Sequence, residues 1–80
     1  MAIRQRLVPE VEVLAAIVEL ADDGFCLRRE LFARFPGRAE RTLQRSVART
    51  ARHGLVLERR GPDGASYLAL TSEGWKVLRG

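Results

Sequence analysis

Five arginines between residues 38 and 52 recur at a spacing that could bind a polyanion. They stand at positions 38, 41, 45, 49 and 52. Since an α-helix advances about 100° per residue, these positions fall within about 80° of one helix face. The small or apolar residues of the same segment fall opposite, within about 120°: Ala39, Leu43, Val47, Thr50 and Ala51. The pattern therefore predicts a helix with a buried face and an arginine face, which is either solvated or bound to an anionic partner.

The positive charge of the chain is concentrated around this segment. The whole chain has a net charge of +4, whereas residues 38–60 hold seven arginines against two glutamates, a local net charge of +5. Arginine outnumbers lysine thirteen to one, which codon preference could explain, but codon preference does not explain the clustering. A local basic surface on a small domain is typical of nucleic-acid binding.

Length and composition indicate a small folded domain. Eighty residues with 46% hydrophobic and 30% charged residues suit a globular protein with a modest core. No apolar run is long enough to span a membrane, and residues 1 to 8 carry no apolar segment of signal-peptide length, so we expect a cytoplasmic protein. The lone Cys26 lies between Phe25 and Leu27, which predicts a buried thiol.

Apolar spacing and helix-ending residues predict three helices in the first two thirds of the chain. The first runs from about 9 to 22, where Asp22, Asp23 and Gly24 end it. A short second helix follows, and Pro36 and Gly37 stop it. The third spans 38–53 and is capped by Gly54. A short helix, a tight turn and a longer basic helix form a helix-turn-helix pattern.

The last third predicts a β-hairpin and a closing helix. Pro62 and Asp63 occupy the centre of a type I-like turn, with Gly64 at positive φ, within a hairpin over 55–71. The predicted register places Leu57 opposite Leu68 and Leu55 opposite Leu70 on an apolar face, and Glu58 opposite Tyr67 and Arg60 opposite Ala65 on a polar face. Thr71 and Ser72 can cap a final helix, with Trp75 and Leu78 on one side.

No constellation typical of catalysis or metal binding occurs in the sequence. His53 has no partner ligands at metal-binding spacing, and its position suits the negative end of a helix. Asp22 and Asp23 are adjacent in a predicted turn, where neighbouring carboxylates do not face each other as an acid/base pair. We therefore expect no enzymatic activity, no cofactor and no metal.

Two segments resemble the winged helix-turn-helix regulators, particularly the MarR- and PadR-like groups. In "ARHGLVLERR" a helix ends in glycine and runs into a strand, and "YLALTSEGWKVL" is similar to a second wing strand followed by the Leu-Thr-x-x-Gly start of a closing helix. Across residues 9–79 the predicted order of helices and strands is the same as in these regulators. The chain differs in lacking a Ser or Thr cap before its second helix, in its short wing, and in lacking the long flanking helices by which full-sized MarR proteins dimerise.

The resemblance implies a mainly α fold with a small β-hairpin, a single winged-helix domain over residues 1–80. It has a three-helix core, a two-stranded wing and a short C-terminal helix. In such a fold helix 38–53 enters the major groove of double-stranded DNA, and hairpin 55–71 contacts the backbone or the minor groove as the wing.

The chemistry of the side chains divides the candidate DNA-binding residues by role. Arginine can donate to guanine O6 and N7 together, so base reading is expected at the middle of the helix, from Arg41 and Arg45 with Thr42 and Gln44 beside them. Phosphate contacts are expected from the arginines at the helix ends and in the hairpin: Arg38, Arg49, Arg52, Arg59 and Arg60. Arg28 and Arg29, at the start of the second helix, are further candidates for phosphate.

These features predict a sequence-specific DNA-binding transcriptional regulator, acting as a homodimer because one small module buries little surface for tight specific binding. The alternative is a winged-helix module that binds an acidic protein within a larger assembly. A protein-binding helix should expose apolar side chains, since interface cores are depleted in charge, and here that face is nearly all arginine.

Overall fold

The computed structural model describes residues 6–80, so the first five residues of the predicted domain lie outside the described part. It has a mixed α+β fold, with four helices in the predicted order and a three-stranded antiparallel sheet of strand order β1-β3-β2. The hairpin is confirmed, and a short strand before α2 extends it. The elements are α1 (Glu10–Leu20), β1 (Cys26–Leu27), α2 (Arg28–Ala33), α3 (Glu40–Arg52), β2 (Val56–Arg60), β3 (Ser66–Leu70) and α4 (Ser72–Arg79).

A tight turn reverses the chain between α1 and β1. Asp23 and Gly24 both have positive φ, 54° and 85°, as a type I′ turn requires. Asp22 N donates to Phe25 O at 2.7 Å, and Phe25 N donates to Asp22 O at 3.1 Å. The turn uses the predicted residues, but α1 ends at Leu20, before the predicted boundary. This reversal brings β1 alongside β3, where Cys26 pairs with Leu68.

Gly54 ends α3 as the sequence predicts and directs the chain into β2. Its φ of 76° lies in the left-handed region. Leu55 N donates to Thr50 O at 3.1 Å and Gly54 N donates to Ala51 O at 3.0 Å, the two bonds of a Schellman cap. The predicted range of 38–53 is longer than the observed Glu40–Arg52, because Ala39 and His53 are the capping residues.

The predicted hairpin register is wrong by one residue. The observed pairs include Val56 with Leu70, Glu58 with Leu68 and Arg60 with Ser66. The cause is the turn: Gly61 N donates to Ala65 O at 2.8 Å and Gly64 N donates to Gly61 O at 2.9 Å. Gly61 is thus the last paired residue, and Gly64, with a φ of 82°, is an extra residue on one strand. A shift of one residue exchanges the two faces of a strand.

Thr71 and Gly74 join the closing helix to the end of α3. Thr71 Oγ1 donates to Gly54 O at 2.6 Å and accepts from Gly74 N at 3.0 Å, so Thr71 is the predicted helix cap. Thr71 N also donates to Leu55 O at 3.1 Å. A Cβ on Gly74 would lie only 2.2 Å from Leu55 O, so glycine is required there by close backbone approach.

The core lies between α1, α2, α3 and the inner face of the sheet. Its apolar members include Val8, Val13, Leu14, Ile17, Cys26, Leu31, Leu43, Val47, Val56 and Leu68. Trp75, by contrast, is 42% exposed and is not the core anchor that its size suggests. Among residues 6–80 no helix has the length and apolar character needed to cross a membrane.

Candidate nucleic-acid interface

The buried face of α3 is rotated from the predicted one. Leu43, Val47 and Thr50 are buried as predicted, but Ala39 and Ala51 are exposed and Ser46 is fully buried. Ser46 Oγ accepts a hydrogen bond of 2.9 Å from Val8 N and donates one of 2.8 Å to Thr42 O. These bonds satisfy the hydroxyl in the core. The rotation draws the neighbouring Arg49 toward the protein.

As a result, Arg38 and Arg49 bind the protein's own backbone. Arg49 Nη2 donates to Val8 O at 2.7 Å, and Arg38 Nη1 donates to Arg6 O. Both arginines are half-buried. Arg49 Nε is buried without a hydrogen-bond partner among residues 6–80. These two arginines, which the sequence suggests as phosphate ligands, therefore hold the segment that precedes α1.

Arg41, Arg45 and Arg52 form the exposed part of the predicted arginine face, which we call the arginine ridge. All three side chains are exposed, and within the described chain none has a hydrogen bond or an ion pair. Ala48 lies between them and is also exposed. Like charges one helical turn apart repel each other by a few tenths of a kcal/mol. The ridge is thus an uncompensated cationic surface.

Gln44 lies beside the ridge, on the side of the hairpin. It is exposed and lines an open hollow together with Arg28, Glu58, Arg60 and Ser66. An adjoining hollow is lined by residues that include Arg29 and Glu40. The start of α2, the first half of α3 and the far half of the hairpin therefore face one another. Thr42 is half-buried on the other flank of α3.

Arg28 and Glu58 form an ion pair within this hollow. Arg28 Nη1 lies 2.9 Å from Glu58 Oε2, and the Arg28 guanidinium lies 5.1 Å from the centroid of the Phe32 ring. The Arg28 guanidinium is therefore paired within the protein, while its neighbour Arg29 is exposed. Glu58 introduces a negative charge into a hollow whose other lining residues are Arg28, Gln44, Arg60 and Ser66. This pairing is not predictable from local sequence, because Glu58 and Arg28 are 30 residues apart.

The two hairpin arginines lie on opposite faces of the sheet. Arg60 shares a face with Glu58 and the hollow, which corrects the expectation that it points away from Leu68. Arg59 lies on the other face, near Phe25 and Tyr67 in a shallow hollow that Arg60 borders from the strand end. Both side chains are exposed. The corrected register thus brings Arg60, rather than Arg59, to the side of the sheet that faces α3.

His53 and Cys26 make their contacts within the fold. His53 Nδ1 lies 2.8 Å from Glu10 Oε2, which links the end of α3 to the start of α1. Cys26 is buried as predicted, and burial, with a smaller contribution from the nearby Glu30 carboxylate, raises the pKa of its thiol. No three His, Cys, Asp or Glu side chains of the described residues cluster as metal ligands would.

The backbone segment before α1 is the part of the site that sequence reasoning missed. Residues 6–8 contact Arg38, Ser46 and Arg49 through main-chain atoms, and main-chain contacts leave no pattern of residue types. The only available signal was Ser46, a hydroxyl at the edge of the apolar stripe.

No family model matches the chain, and no curated protein or solved structure is detectably similar to it.

Proposed function

We propose that the protein is a sequence-specific DNA-binding regulator of the winged helix-turn-helix type, with α3 in the major groove and the β2–β3 hairpin as the wing. The observation that carries this proposal is the arginine ridge. Arg41, Arg45 and Arg52 are exposed on one helix face without an acidic partner in the described structure, whereas Arg28 and Arg34 have carboxylate partners. Three unpaired guanidinium groups on a narrow strip repel one another, and they are stabilised when they bind phosphates or base edges.

In this proposal each exposed side chain has a role. Arg45 and Arg41 lie on the outermost part of α3, from which a guanidinium can reach guanine O6 and N7. Gln44, beside them, has the amide donor and acceptor that recognise adenine. Arg52 near the helix end, and Arg59 and Arg60 on the hairpin, are suited to phosphate. Binding of this kind is not enzymatic and needs no cofactor.

We further propose that the protein acts as a homodimer on a palindromic site. The unpaired cations of one copy support only a handful of DNA contacts, and a second copy doubles them. Since α3 must stay free for DNA, the dimer contact is assigned to the surface formed by α1 and α4.

Selection from a random duplex library, followed by affinity measurements at several salt concentrations, tests the DNA-binding proposal. We expect an enriched site and a log–log salt slope of about −0.9 per phosphate neutralised. Arg45→Ala should weaken binding to the selected site by about 1 to 3 kcal/mol and relax preference at one base position. The control is Arg34→Ala, which removes the same charge from an exposed position at the end of α2, outside both the ridge and the proposed dimer contact, and should leave both quantities nearly unchanged.

Three results would count against this function. If no sequence is enriched and binding is insensitive to salt, the ridge faces a protein partner or solvent instead. If Arg45→Ala weakens all duplexes equally, α3 binds the backbone without reading bases. If Arg34→Ala weakens binding as much as Arg45→Ala, net charge rather than the ridge determines affinity.

A further inference from the structure

Residues 6–8 form a strap of backbone along one flank of α3. Val8 is fully buried, its N–H donates to Ser46 Oγ at 2.9 Å, and its carbonyl accepts from Arg49 Nη2 at 2.7 Å. Two residues earlier, the carbonyl of Arg6 accepts from Arg38. The strap is thus fixed at three points, to two residues of α3 and to Arg38 just before it, 32 to 41 residues away in the chain.

The strap lies on the opposite flank of α3 from the hairpin. On a wheel of about 100° per residue, Arg49 stands about 40° from Arg45 on one side, and Gln44 stands about 100° from Arg45 on the other. Arg38 precedes α3, and its bond to Arg6 O places it on the strap side. Gln44 is the residue that lines the hollow with Arg60 of the hairpin. The arginine ridge is therefore bordered by the hairpin on one side and by the strap on the other.

The strap flank keeps its positive charge. Arg38 and Arg49 bind neutral carbonyl oxygens, and Arg6 is exposed with no side-chain partner in the described part of the chain. None of these three guanidinium groups is paired with a carboxylate among residues 6–80. Each guanidinium has five N–H donors, and a single carbonyl uses only one or two of them.

A helix in the major groove lies between two phosphate backbones, about 12 Å apart across the groove. If the proposed function holds, on which this inference rests, the hairpin faces one of these backbones. We infer that the strap faces the other, and that Arg6, with the remaining donors of Arg38, binds its phosphates. Ser46 is then a positioning residue, since its hydroxyl holds Val8 N and so fixes Arg6 beside the ridge.

The strap is tested with Arg6→Ala, Ser46→Ala and the double variant of the whole chain on the selected duplex, with Arg34→Ala as the charge-matched control. Arg6→Ala should reduce the salt slope by about one without changing base preference. Ser46→Ala should weaken binding in the wild-type background but add little in the Arg6→Ala background, because it acts through the position of Arg6. Melting curves identify any unfolding of Ser46→Ala, and Arg6→Ala removes an exposed side chain outside the core.

Neutral methylphosphonates placed singly along each DNA strand locate the contact. Those on one border of the groove should weaken wild-type protein several-fold but weaken Arg6→Ala much less, because only the donors of Arg38 remain there, while those on the other border should weaken both equally. If Arg6→Ala binds with unchanged slope while Arg45→Ala binds weakly, the strap inference is wrong and the DNA-binding function stands. If Ser46→Ala and Arg6→Ala are additive, the positioning role is wrong. If wild-type protein binds no duplex, both proposals fail.

Discussion

Arg49 and Arg52 stand in the last turn of the same helix and carry the same charge, yet their surroundings differ. Arg49 is half-buried, donates to the buried carbonyl of Val8, and has an Nε atom with no partner among the described residues. Arg52 is exposed and unpaired within the same part of the chain. Three residues of sequence separation, about 60° on the wheel, thus decide between a structural and a solvent-facing guanidinium.

We expect Arg49→Ala to lower the free energy of unfolding by about 1 kcal/mol, because the buried Val8 carbonyl loses its donor. Arg52→Ala should change it by less than about 0.5 kcal/mol, as is usual for an exposed side chain. Both substitutions introduce the same residue into the same turn, so helix propensity cancels in the comparison. Urea unfolding of the two variants measures the difference, and equal values would mean that the strap does not depend on Arg49.

Cys26 should make the protein less stable at alkaline pH. Burial raises the pKa of its thiol in the folded state above that in the unfolded chain. This contribution to stability is fully present below the ordinary thiol pKa of about 8.5 and is lost as the pH rises through the raised folded value. Urea midpoints measured between pH 7 and about 10 should fall more steeply for wild type than for Cys26→Ala. Parallel curves would contradict this.

At the scale of elements, the hairpin register determines which hydrophobic residues are buried. Gly64 adds one residue to the turn, so Val56 and Leu68 face the core and Leu57 faces outward with 45% of its surface exposed. Val56 and Leu57 are adjacent on the same strand. They therefore report the register directly, since a shift of one residue would exchange their burial.

Replacing Val56 with Ala should cost about 2 kcal/mol of unfolding free energy, because it leaves a cavity in the core. Leu57→Ala removes more atoms but should cost less than about 1 kcal/mol, since the side chain is largely solvated. Val56→Ala also loses a β-branched strand former, which adds to its cost. Thermal or urea unfolding of the two variants decides the register; a larger loss for Leu57→Ala would favour the register expected from the sequence alone.

Local sequence patterns predicted the helices and their caps well, but they did not predict contacts between residues that are distant in sequence. The order of the four helices follows from apolar spacing, and Gly54 and Thr71 act as the predicted caps because capping is local chemistry. The burial of Ser46 depends on Val8, 38 residues away, and no local pattern encodes that contact. The register error arose within the turn, where both pairings satisfy the same Pro-Asp-Gly sequence and only backbone geometry separates them.

At the scale of the whole molecule, charge and exposed apolar surface are separated. The unpaired arginines of α3 lie between the hairpin and the strap. Among residues 6–80, three of the four exposed large apolar side chains, Val11, Trp75 and Val77, lie on α1 and α4. These two helices contact each other. The unpaired charge thus lies on α3, whereas most of the exposed large apolar side chains lie on α1 and α4.

We expect the protein to dimerise through the α1 and α4 surface, because large aromatic side chains are enriched at interfaces and Trp75 is 42% exposed. Trp75→Ser should shift sedimentation at micromolar concentration from dimer to monomer and weaken binding to a palindrome far more than to a half-site. Leu57→Ser is the matched control, since Leu57 is 45% exposed but lies on the hairpin, and it should leave the oligomeric state unchanged.

A dimer should also select half-sites separated by about 10 base pairs or a multiple, so that both copies of α3 meet the same side of the duplex. A wild-type protein that is monomeric both free and on its selected site would overturn the dimer, and with it the expected palindrome.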